Sequence, residues 1–136
     1  MLNLQTKLAE TIGAQQQAKM SRQETVDRIN AATDEATAMI LEELEPLRQL
    51  APDLVVNIWP TQAVIRCNNG LCHAVVAIEA KSDFRLSATL EKQRGVPVGA
   101  RFDLDECSDA ETLASLILQT AESRLLWWVE RLAGQQ

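Results

Sequence analysis

The sequence predicts an α+β fold: two N-terminal helices, an antiparallel meander sheet of four or five strands, and a C-terminal helix packed on one sheet face. Three observations carry this. Asn69-Gly70 lies between two alternating apolar segments, and an Asn-Gly pair accepts the positive φ of both central positions of a type I′ hairpin turn. Between 53 and 106 the period-two alternation recurs several times, as in strands with one buried face. The flanking stretches 1–50 and 108–133 space their apolar residues by three and four, the helical period.

The chain has 136 residues, a length suited to one domain that buries a core without staples. Hydrophobic residues make up 46% and charged residues 24%, which excludes a disordered chain. No apolar run reaches the length of a membrane span, and the first residues lack the basic start and apolar block of a secretion signal, so a cytoplasmic protein is expected. The net charge of -6 is spread along the chain, and no third of it is basic. No phosphate-binding footprint results, and direct nucleic-acid binding is not expected. Three cysteines, an odd number, suit a reducing compartment better than a disulfide framework.

The first helix is expected over 2–19, with Leu4, Leu8 and Ile12 at spacing four and Gly13 weakening its second half. Ser21 and Glu24 have the spacing of a capping box, so a second helix should begin near Arg22. Val26, Ile29, Thr33, Ala36 and Ile40 form its stripe, which would pack on the chain's own sheet or on another chain. Pro46 should end or kink it near Glu45.

The first strand is expected over 54–59, ended by Pro60. With Asn69-Gly70 as the turn, Cys67 faces Cys72, Ile65 faces Ala74 and Ala63 faces Val76, which places both apolar sets on one face. A slip of one residue would separate them. Segments 84–91 and 100–105 supply the next strands, each apolar on one side only. Ser108 with Glu111 forms a second capping box, opening a helix that Gly134 should close.

Leu125-Leu126-Trp127-Trp128-Val129 bears most directly on function. Five successive apolar residues at roughly 100° each encircle a helix, more than one sheet face can cover. The N-terminal helices, a second copy of the chain, or a client protein could supply the rest. Leu126, Trp127 and Val129, with Ile29 and Ile40 of the second helix, are therefore the candidate interface residues.

Little else nominates chemistry. Asp103, Asp105 and Glu106 form the one carboxylate cluster near a strand end; they would suit a hard cation, but also the N-terminus of the helix that follows. His73, the only histidine, is placed on the polar face opposite Arg66. Cys67 and Cys72 are near enough for a disulfide, though two reduced thiols in an apolar face are the expected state. No catalytic residue, metal ligand or cofactor is assigned.

The segment ARFDLDECSDAETLASLILQTAESRLLWWVERLAG, together with LQTKLAETIG near the start, resembles the last strand, final helix and first helix of class I type III secretion chaperones. The resemblance implies a small acidic homodimer holding an unfolded effector segment on its surface. The element order differs, since that family inserts a helix between its strands. The expected function is a non-enzymatic protein-binding module, homodimeric, acting as chaperone, adaptor or inhibitor. The alternatives are a phage- or plasmid-encoded structural or anti-host protein whose acidic surface mimics nucleic acid, and a metal-dependent enzyme at the carboxylate cluster.

Overall fold

In the computed structural model, residues 3–80, 86–91 and 110–135 are described in full, and 101–104 by their backbone. The chain opens with one helix, α1 (Leu4–Glu43), where two were expected. Gly13 costs a helix only about 1 kcal/mol, and the Gln15-Gln16-Gln17-Ala18-Lys19-Met20 run after it consists of good helix formers. Helix propagation therefore continues through Ser21. The Ser21 carbonyl accepts the Thr25 hydroxyl at 3.2 Å, so this serine lies within a helix and does not begin one. The same i−4 bond recurs from Thr11, Thr33 and Thr37 and satisfies hydroxyls that would otherwise compete with the backbone.

Pro46 acts where expected. α1 ends at Glu43, Leu44 leaves helical geometry, and a six-residue helix α2 (Glu45–Leu50) starts with the proline in its first turn. The absent N–H is no loss there.

Five strands follow: β1 (Val55–Trp59), β2 (Gln62–Cys67), β3 (Cys72–Ala80), β4 (Leu86–Leu90) and β5 (Arg101–Leu104). They pair in chain order as an antiparallel sheet β1-β2-β3-β4-β5. The central hairpin has the expected register, with Cys67 opposite Cys72, Arg66 opposite His73, Ile65 opposite Ala74 and Ala63 opposite Val76. The bend uses one more left-handed residue than the Asn-Gly pair alone requires. Asn68, Asn69 and Gly70 all have positive φ, at 55°, 56° and 83°. Gly70 N–H donates to Cys67 O, and Leu71 N–H to Asn68 O. Consecutive left-handed residues of this kind turn their N–H groups into one concavity. Asp53 fills it, its two carboxylate oxygens accepting Asn68 N–H at 2.9 Å and Asn69 N–H at 2.8 Å.

The final helix, α3 (Ala110–Gly134), extends one residue past its expected end. Ser108, like Asp105, Glu106 and Cys107, lies outside the described residues, while Glu111 occupies the first turn of α3. α3 packs on β3, β4 and β5, and α1 packs on β1, β3 and α3. Thus α3 shares the inner sheet face with the second half of α1. The core between the layers contains Val56, Ile65, Val76 and Leu86 from the sheet, Ile29 and Ile40 from α1, and Leu113, Ile117 and Trp128 from α3. No helix among the described residues is long and apolar enough to cross a membrane.

The outer sheet face is less polar than the alternation suggests. Val64 is buried there, Val75 and Ala77 are half-buried, and Trp59 and Val55 are exposed alongside Arg66 and His73.

Candidate protein-binding groove

The five apolar residues of α3 separate as the helical period requires. Leu125 and Trp128 are buried; Trp127 and Val129 are half-buried; Leu126 is 58% exposed. The Arg131 guanidinium lies 4.7 Å from the Trp127 ring centroid, a cation–π distance that shields one face of the indole.

Leu126 and Val129 lie in an open groove between α3 and the junction of α1 with α2. Glu43, Leu44, Pro46 and Leu47 form one wall, and Leu118, Leu125, Leu126 and Val129 the other, enclosing about 330 Å³. The groove continues towards the start of α3 between Met39 and Glu42 on one side and Glu111, Ala114 and Ser115 on the other, with Glu43, Leu118 and Gln119 common to both parts. The floor of the first part is apolar. The rims carry Glu43 and Glu122 there, and Glu42 and Glu111 further along; among the described residues, neither part has a lysine or arginine in its lining. An apolar floor between carboxylates suits a segment with apolar side chains flanked by cations.

The other interface candidates fall elsewhere. Ile29 and Ile40 are fully buried between α1, α3 and the sheet, so they build the core and offer no surface to a partner. Their spacing is equally that of a helix packing on its own sheet.

Burial pushes the Cys67 thiol up to about 12, with the Cys72 sulfur opposite it acting in the same direction. Both cysteines are free and buried. Two N–H donors, Asn69 first and Asn68 second, hold the Asp53 carboxyl below its usual range. Among the described residues, no group of three or more His, Cys, Asp or Glu side chains converges. The side chain of Asp103 is, like those of Asp105 and Glu106, outside the described residues.

One residue escaped the sequence reading. Arg124 is 1% exposed within α3, and its Nη2 donates to Glu91 O at 2.7 Å. Burial pulls its pKa down, against the opposing pull of the Glu91 carboxylate. The only signal in the sequence is its place beside Ala121, Leu125 and Trp128 on the buried stripe. No protein-family model, curated protein or solved structure matches the chain.

Proposed function

We propose that the protein is a non-enzymatic protein-binding module, homodimeric and acting as a chaperone, adaptor or inhibitor, whose contact surface is the groove between α2 and α3. The single observation that supports this reading is the open apolar channel holding an exposed Leu126, with carboxylates on its rims. Such a channel suits an amphipathic helix that inserts apolar residues at spacings of three and four and turns lysine or arginine towards the rims. The class of activity agrees with what the resemblance to class I type III secretion chaperones implies. The uninterrupted strand order β1 to β5 keeps the departure from that family's element order.

Selection of displayed random peptides on the wild-type protein, with counter-selection on Leu126→Glu, tests the reading. The expected peptides carry paired apolar residues and net positive charge, and bind Leu126→Glu at least ten-fold more weakly by fluorescence polarisation. Their binding should persist in high salt, because the apolar floor is not screened. Recovery of the same peptides at equal affinity on both proteins would rule the groove out. Binding that collapses with salt would favour acidic mimicry.

A further inference from the structure

We propose that the occupant of this groove is the exposed first half of α1 from a second copy of the chain. The inference rests on the protein-binding reading of the groove and adds the identity of one partner. Every residue from 3 to 17 is exposed, and the first buried side chain of α1 is Thr25. Within that arm Leu4, Leu8 and Ile12 are 62, 54 and 58% exposed. Most of a helix's stability in a protein comes from packing an amphipathic face, so this segment gains from a surface on which to lie.

The groove matches it in length, apolarity and charge. At 1.5 Å per residue, residues 4–22 extend roughly 27 Å, and the groove wall from Glu111 to Val129 on α3 extends roughly the same. Leu4, Leu8 and Ile12 form one stripe. At about 100° per residue, Lys19 and Arg22 fall within roughly 40° of its centre, whereas Glu10 lies roughly 160° away. Residues 3–22 contain three cations, Lys7, Lys19 and Arg22, against the single carboxylate Glu10, although the chain as a whole is acidic. The rims facing the incoming arm would be Glu42, Glu43, Glu111 and Glu122, of opposite sign.

The arm cannot reach the groove of its own chain. Ile12 and Met39 belong to the same continuous helix and stand roughly 40 Å apart along its axis. A second copy meets no such obstacle. Reciprocal exchange makes a closed two-fold dimer in which each arm fills the other's groove, so the contact is formed twice.

Light scattering on the full chain, combined with zero-length carbodiimide cross-linking of a mixture of 15N-labelled and unlabelled protein, tests this. The expected mass is twice 15.1 kDa. Mixed-label cross-links should join Lys7 or Lys19 to Glu42, Glu43, Glu111 or Glu122. Ile12→Glu and Leu126→Glu, both at exposed positions and checked for folding by circular dichroism, should each weaken dimerisation at least ten-fold. Lys19→Glu should weaken it, and added Glu122→Lys should restore part of the loss. A monomer at all concentrations overturns the proposal. So does a dimer broken by Ile12→Glu but indifferent to Leu126→Glu, which would be arm-to-arm pairing. In either case the selection of cationic amphipathic peptides by the groove stands or falls separately, so the two failures are distinguishable.

Discussion

Asp53 Oδ2 accepts the backbone N–H of Asn69 at 2.8 Å, across sixteen residues of chain. With Oδ1 on Asn68 N–H, the carboxylate ties the segment entering β1 to the bend between β2 and β3. Asp53→Asn should lower the urea midpoint at neutral pH, because an amide offers one oxygen where the carboxylate offers two. The donors hold the folded pKa below its unfolded value, so the stabilisation is present above about pH 4 and is lost as pH falls through the folded pKa. The difference between wild type and variant should therefore shrink in acid. A constant difference from neutral to acidic pH would contradict this account.

Two glycines should respond to alanine with opposite signs. A Cβ at Gly13 or at Gly70 would have nothing within 4 Å, so the backbone alone decides. Gly70, at φ 83°, should lose about 1 kcal/mol on Gly70→Ala. Gly13 lies in the exposed part of α1, and Gly13→Ala should stabilise that helix by about 0.5–1 kcal/mol. Thermal melts measure the first effect, and ellipticity at 222 nm the second.

Arg124→Ala should cost about 3 kcal/mol in urea unfolding, since it opens a cavity and leaves the Glu91 carbonyl without this donor. Arg124→Met keeps most of the volume and removes the desolvated charge, so it should cost less. Equal losses in the two variants would show that the guanidinium, and not its bulk, holds α3 to the end of β4.

The Cys67 thiol, pushed up to about 12, stays protonated when folded at a pH where an unfolded thiol has ionised. Its contribution to stability is thus complete below about pH 9 and declines as pH rises from there through the folded pKa. A thiol-specific reagent at pH 8 should modify Cys67 and Cys72 only after unfolding. Rapid modification of both in the native protein would place them at the surface.

In the dissociated monomer, Trp128→Ala should destabilise by about 3–5 kcal/mol and Leu126→Ala by less than about 0.5 kcal/mol, since within one chain the first side chain is buried and the second exposed. This contrast was half legible in the sequence. Five successive apolar residues guarantee that some face outward, but which ones depends on where the sheet lies. The hairpin register could be read in full, because the turn and both alternations are adjacent in the chain. The Asp53 bond could not, because nothing local links position 53 to position 69. The single long α1 was hidden by signals at Gly13 and Ser21 that are real but weaker than the helix formers around them. The wall of the groove formed by Pro46 and Leu47 was also out of reach, since it exists only once α2 turns against α3.

The strands pair in the order in which they are made, so each new strand adds to the growing edge after closing only a short loop. The helices lack that convenience. α1 is made before the sheet, while α3, which covers its Ile29 and Ile40 flank together with the sheet, is made after it. Until α3 emerges, the nascent chain therefore exposes an uncovered aliphatic ridge, and the arrival of α3, rather than sheet assembly, is what closes the core.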